Sequence, residues 1–232
     1  MGDYERLTPC SHCDVPQSEM EPILLRDCTT RGTPVRFHTE FISFTQDADG
    51  VSTSVRDVLT GHEYTIRSKY LLACDGGRSK IVEQLQLPLN VFPAGGVAMN
   101  IHFRCDLTPF MPSRISNLTH TLHPGRINKD WAINSLIRAV KPWTEWYITV
   151  FSKPGVDIRA PSTAEYMEEV EKMIGPGCPP TTYLGTIPWK INETVAKYYS
   201  VGNVFCLGDA VHRHPPFNGV RYMFISLDGT NR

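Results

Sequence analysis

The chain has 232 residues, which at about 150 per domain is one large domain or a domain and a half. Its formal net charge of −1 supplies no basic surface for nucleic acid or for an anionic membrane. With 41% hydrophobic and 20% charged residues it is composed like a folded protein, and no apolar run approaches the roughly 18 residues of a transmembrane span. Met1–Arg6 carries two acids and no hydrophobic stretch, so it does not read as a secretory signal, and Arg6 stands where a myristoylation signal needs Ser or Thr. The cysteine count of seven is odd and the residues are scattered, which points to free thiols and a cytoplasmic location. Cys10-Ser-His-Cys13 lacks a second pair at a fitting distance, so no zinc or other metal site is expected.

Residues 1–16 read as irregular. A helix is predicted over Ser18–Thr30, with Pro22 in its first turn, Leu24, Leu25 and Cys28 on one face, and Gly32 at its end. A β meander follows. Phe37–Gln46 is its first strand, Asp47-Ala-Asp-Gly50 turns, and Val51, Thr53 and Val55 alternate with polar neighbours. Thr60-Gly61 turns again, and Tyr64 and Ile66 continue the period of two. Tyr70-Leu-Leu-Ala-Cys74 is a short continuous apolar run, the pattern of a strand buried on both faces in a parallel sheet. Asp75-Gly76-Gly77 ends it, and Ser79 can cap a helix carrying Ile81, Val82 and Leu85.

Between 88 and 160, prolines punctuate short strands, predicted at Gly96–Arg104, Trp131–Val140 and Glu145–Phe151. Ser162–Ile174 reads as a helix. Ser162 and Glu165 make a capping box, Tyr166, Met167, Val170, Met173 and Ile174 form one stripe, and Gly175-Pro176 stops it. Asn203-Val-Phe-Cys-Leu207 is a second short buried strand, ended by Gly208-Asp209-Ala210. Val220–Arg232 carry no periodic element.

Two segments thus share one grammar: a buried strand, a Gly/Asp turn, then a helix start. That arrangement exposes backbone amides and a carboxylate at the carboxyl end of a strand, where ligands bind in open α/β sheets. The carboxylate can accept from ribose-like hydroxyls and the amides can face phosphate.

The full strings are more specific. Leu71-Leu-Ala-Cys-Asp75-Gly76-Gly-Arg-Ser79-Lys-Ile81 resembles the Asp-Gly motif of the FAD-dependent aromatic-ring hydroxylases. Val204-Phe-Cys-Leu-Gly208-Asp209-Ala-Val-His212-Arg-His-Pro215-Pro216-Phe-Asn-Gly219 resembles their Gly-Asp motif, and Glu21–Leu25 through Asp75 looks like their phenol and chlorophenol monooxygenase branch. The resemblance covers residues from about 15 to 219 and departs at Val82, where a basic residue is usual. It implies an α/β (mixed α+β) fold: a partial, Rossmann-like FAD-binding domain with an inserted, mostly β substrate domain. The segments would be 1–87 and 196–232 for the cofactor domain and 88–195 for the insert.

Residue by residue, the resemblance implies that Asp209 bonds the ribityl chain of FAD and that Gly208 permits the close approach. Pro215 and Pro216 would wall the flavin ring, with Gly219 closing that stretch. Asp75 and Gly76 would lie near the pyrophosphate and the path of the nicotinamide cofactor, and Gln17 matches a flavin-contacting position loosely. The implied reaction uses NAD(P)H to reduce FAD. Oxygen then gives a flavin C4a-hydroperoxide, which hydroxylates a small phenolic substrate. The insert would hold the ring, with Trp131, Trp143, Trp146, His102, His120 and His123 as candidate lining residues, and no general base is singled out. The resemblance allows a homodimer.

Two expected parts are missing. No Gly-x-Gly-x-x-Gly occurs, and the sequence after Gly219 follows neither the turn nor the helix of the family. The chain therefore reads as truncated at both ends. Its two buried strands would lack neighbours, and its FAD affinity alone would be weak. The alternative reading is a non-catalytic remnant or accessory binding protein, and ring rearrangement or halogenation would reuse the same motifs.

Overall fold

The computed structural model describes residues 15–111, 118–122, 131–152 and 162–214, with the side chains of 93–95, 120–122 and 131–134 outside the description. The chain divides into two units. A motif unit comprises Arg36–Val97, Pro154–Val156 and Trp189–Arg232, and a sheet unit comprises Met1–Val35, Ala98–Lys153 and Asp157–Pro188. Among the described residues no helix is long and apolar enough to cross a membrane.

The motif unit begins with the antiparallel meander β1 (Thr39–Asp47), β2 (Gly50–Asp57) and β3 (Glu63–Ser68). The predicted alternation holds, with Val51, Thr53 and Val55 buried and Ser52, Ser54 and Arg56 half-buried. Asp47 Oδ1 accepts from the Asp49 and Gly50 amides and so closes the β1–β2 turn. Gly50 has φ +149°, and a Cβ there would lie 2.3 Å from the Ser68 carbonyl oxygen, so the turn admits only glycine.

β4 (Leu71–Ala73) pairs in parallel with β11 (Val204–Cys206), and β10 (Ser200–Val201) lies antiparallel on the other side of β11. The two motif strands therefore neighbour each other, which corrects the expectation that both stand alone. They are also buried on one face rather than two. Ala73, Val204 and Cys206 face the core, while Leu72 is 63% and Phe205 38% exposed. With three residues per strand, the alternating side chains of this small sheet have a packing partner on one side only. That core is completed by Phe44, Val51, Ile81, Val82, Leu87, Ala196, Ala210 and Val211. The short helix α2 (Lys80–Leu85) is capped as read, the Ser79 hydroxyl accepting from the Val82 amide at 3.0 Å. Gln84 clasps the Phe44 peptide through both ends of its amide and so ties α2 to β1.

The sheet unit starts with α1 (Gln17–Thr30), none of whose residues is buried. Pro22 falls in the second turn of this helix, because the helix begins at Gln17. At its end Gly32 N–H bonds Thr29 O and Thr33 N–H bonds Cys28 O, the paired closure expected of a glycine at φ +85°. Strands β5 (Leu89–Arg104), β6 (Leu118–Leu122), β7 (Trp131–Lys141) and β8 (Glu145–Ser152) follow. β5, β8, β7 and β6 pair antiparallel in that order, and β9 (Thr182–Ala196) pairs antiparallel with β12 (His212–Arg213). The β5–β8–β7–β6 run belongs to the sheet unit and the β12–β9 register to the motif unit.

α3 (Thr163–Ile174) packs its buried Tyr166, Val170 and Met173 with Met99, Ile101, Phe103, Ile137, Trp146, Ile148 and Val150. Its capping box is present, Glu165 accepting from the Ser162 amide and Ser162 from the Glu165 amide. The fifteen residues of β9 carry no strand in the sequence reading. Their burial follows no regular alternation and Pro188 interrupts them, so the period-two signal is lost.

Candidate functional site

The parallel register Leu71↔Val204, Leu72↔Phe205, Ala73↔Cys206 ends both motif strands at the same level. The Leu207 amide donates to Ala73 O at 2.9 Å and carries the pairing one residue further. Each strand then enters a 3-10 turn, Gly76–Arg78 after β4 and Gly208–Ala210 after β11, and the two turns pack against each other. Asp75-Gly76 and Gly208-Asp209, 133 residues apart by subtraction of their Asp75 and Gly208 numbers, are thereby brought side by side.

Gly76 (φ +78°) and Gly208 (φ +60°) occupy the left-handed region that ordinary residues avoid. Among the described residues, chain neighbours aside, no heavy atom lies within 4 Å of where a Gly76 Cβ would stand, which leaves that backbone open to a close approach. Asp75 is exposed, and its Oδ2 lies 3.4 Å from the Ile81 amide. Asp209 is half-buried and Gly208 buried. Burial, then the charge of Asp75 and the nearby Cys74, push the Cys206 thiol up to about 11. It is therefore a protonated packing group rather than a nucleophile.

Arg213 on β12 is a member of the site that the sequence reading passed over. Its Nη1 donates to Gly77 O at 2.9 Å, while its buried Nε has no hydrogen-bond partner among the described residues. A buried guanidinium N–H without an acceptor suits an anionic oxygen. Arg213 also lines a hollow of about 320 Å³ with Arg78, Ser79, Glu83, Gln86 and Ala210. Its signal was present in the string, as the basic residue after His212.

These groups fit a dinucleotide cofactor. The two carboxylates match sugar or ribityl hydroxyls, and Arg213 with the turn amides matches phosphate. Among the described residues no group of three or more His, Cys, Asp or Glu side chains is placed to hold a metal ion.

The remaining candidates separate. Gln17 is an exposed residue in the first turn of α1, where its side chain bonds Glu21. Pro215, Pro216 and Gly219 lie outside the described residues, as do His123, Cys10 and Cys13. Trp131 and His120 are on strands whose side chains there are not described. Trp146 is 1% exposed, and its indole N–H reaches Cys105 O at 3.0 Å and Trp143 O at 3.2 Å. It is a core residue and not a pocket wall. Trp143 is half-buried against it, with ring centroids 6.2 Å apart. His102 stands on the face of β5 opposite the core.

Comparison with known proteins agrees with this geometry. The FAD binding domain family matches residues 1–220. The chain is 39% identical over 223 residues to a 2,4-dichlorophenol 6-monooxygenase of Cupriavidus pinatubonensis, covering 94% of this chain and 36% of that protein. It is 38% identical to a phenol 2-monooxygenase of a Pseudomonas species, covering 94% of this chain and 34% of that one. The chain thus spans about a third of the length of the curated relatives it matches. Among solved structures, the flavin-dependent monooxygenase PieE in complex with FAD and substrate superposes with a TM-score of 0.81 at 32% identity, over 92% of this chain and 37% of that one. Aklavinone-11 hydroxylase shares the fold, with a TM-score of 0.83 at 22% identity over 96% of this chain and 41% of that one. The paired motif turns and the match across residues 1–220 lead to one conclusion: the chain belongs to the FAD binding domain family, as the resemblance implied.

Proposed function

We propose that the chain is part of an FAD- and NAD(P)H-dependent monooxygenase that hydroxylates a small phenolic ring. The observation that carries this reading is the parallel pairing of β4 with β11, which sets Asp75-Gly76 beside Gly208-Asp209. The phenol-type names of relatives at 38–39% identity support the substrate class. Bound FAD would supply the redox chemistry linking NAD(P)H, oxygen and the ring.

The chain's own groups have simpler tasks. Asp209 accepts from ribityl hydroxyls, Gly208 lets the cofactor approach the backbone, Asp75 accepts from a sugar hydroxyl near the pyrophosphate, and Gly76 and Arg213 take the phosphate side. In this reading Pro215 and Pro216, with Gly219 closing the stretch, would wall the flavin ring. Residues 1–87 and 196–232 form the cofactor half of this reading and 88–195 the substrate half. A cytoplasmic location belongs to it too, consistent with the free thiols of Cys28, Cys74, Cys105, Cys178 and Cys206.

The test is NAD(P)H oxidation by the purified chain, supplemented with FAD, against a panel of phenols under air. Oxidation stimulated by at least one phenol, with hydroxylated product, is the expected result. Tight phenol binding without stimulated oxidation would replace this reading with that of an accessory binding protein.

A further inference from the structure

We propose that His102, held by Glu145, accepts the hydroxyl proton of the phenolic substrate on the polar face of the sheet. The inference rests on the phenol-hydroxylase reading and names the proton acceptor that the sequence left open.

The placement follows from strand alternation. Met99, Ile101 and Phe103 of β5 point into the core, so Asn100, His102 and Arg104 share the other face. In the β5–β8 register His102 stands opposite Tyr147, and Arg104 opposite Glu145. The Glu145 side chain is only 10% exposed, and each of its oxygens has a partner. Oε1 lies 3.0 Å from His102 Nε2 and Oε2 3.2 Å from Arg104 Nε. A carboxylate this buried is costly unless paired, and here the pairing also orients an imidazole.

The tautomer follows from the chemistry. An ionised carboxylate only accepts, so the His102 Nε2 carries the hydrogen and Nδ1 keeps its lone pair. Burial works to raise the Glu145 carboxyl, but hydrogen bonds from Arg104 and His102 and the charge of Lys141 outweigh it and hold it below its ordinary value. The carboxylate is thus ionised at neutral pH. Nδ1 has no hydrogen bond among the described residues, and the His102 side chain is 23% exposed. Tyr147 stacks on the imidazole, centroids 4.3 Å apart and planes 22° apart, and so fixes the ring plane.

The surroundings suit a ring with one hydroxyl. Thr149 Oγ1 bonds Asn100 Oδ1 at 2.8 Å beside this pair, and half-buried Leu136 lies opposite Thr149 on β7. The charged and titratable groups on this face are Arg104 from β5, Glu145 and Tyr147 from β8, and Arg138 and Lys141 at and beyond β7's pairing with Tyr147 and Glu145. In the step the phenol O–H bond breaks and the Nδ1–H bond forms. The electron pair stays on the phenolate oxygen, and the imidazolium is balanced by Glu145.

The experiment uses 4-nitrophenol, whose phenolate has its own visible band, added to the full chain without FAD and followed against pH. Binding should lower the midpoint of the phenolate band by about one pH unit, a tenfold shift in its acid–base equilibrium. His102→Gln should bind the probe with the midpoint of free 4-nitrophenol. Glu145→Gln, which keeps the ring but not its orienting charge, should lose at least half of the shift. Circular dichroism confirms that each variant is folded, and His102→Asn replaces His102→Gln if that one is not. An unshifted midpoint in the wild-type chain, no binding of the probe, or a full shift in the His102 variant overturns the proposal. FAD binding is measured separately, so its loss with the phenolate shift intact removes the flavin reading alone.

Discussion

In the motif unit the candidate site is positioned by backbone turns. Two three-residue strands end at one level, and glycines at φ +78° and +60° open the two turns that follow and pack together. In the sheet unit the positioning is done by side chains on long strands, where His102, Arg104, Glu145 and Tyr147 meet across a register. The first design depends on backbone freedom at its two glycines. The second tolerates neither loss of the core that packs beneath the strands nor loss of a single partner. Mutations should therefore sort by unit.

The largest effect expected is in the sheet core. Trp146→Ala removes a side chain 1% exposed together with two indole hydrogen bonds, and should lower stability by about 3–5 kcal/mol in urea unfolding. A loss under about 1 kcal/mol would break the claim that this face is a packed core rather than a pocket. Next is Gly208→Ala, which places a side chain at φ +60° and should cost about 1–2 kcal/mol. The control is Gly185→Ala in the sheet unit, with no positive φ and no atom within 4 Å of its Cβ, which should stay within about 0.5 kcal/mol. Equal effects at the two glycines would erase the contrast between the units. Ser79→Ala removes the cap of α2 beside the Asp75 turn and should cost about 1 kcal/mol by thermal unfolding.

The smallest effect is a pH dependence. The Glu145 carboxyl is held below its ordinary value of 4.5. A group depressed in the folded state stabilises fully above its unfolded value, and that contribution is lost as pH falls through the lowered one. Wild-type stability should therefore decline below pH 4.5 more steeply than that of Glu145→Gln, read as urea midpoints across that range. Parallel curves would remove Glu145 as an acid-sensitive tie.

What the sequence made legible divides along the same line. Asp75-Gly76 and Gly208-Asp209 are consecutive residues in long specific strings, so their turn geometry could be read directly. The capping box of α3, the Ser79 cap and the alternation of β2 were legible for the same local reason. The parallel pairing of β4 with β11 was not, because hydrogen bonding between three-residue strands leaves no mark in either string. Nor was the His102–Glu145 pair, whose members are 43 residues apart and meet diagonally across two strands. Trp146 was read as a pocket candidate by residue type, whereas its register places it inward beside Phe103. Arg213 was visible but unremarkable until β12 brought it against Gly77.

The central claim is that the two motif turns form one FAD site. It is tested most directly by titrating FAD with the purified chain and following flavin fluorescence, wild type against Asp209→Asn. The account predicts saturable binding with a Kd of about 10–500 µM, and weakening of about tenfold or more in Asp209→Asn. No saturable binding up to about 1 mM, or equal affinity in the two proteins, would contradict it.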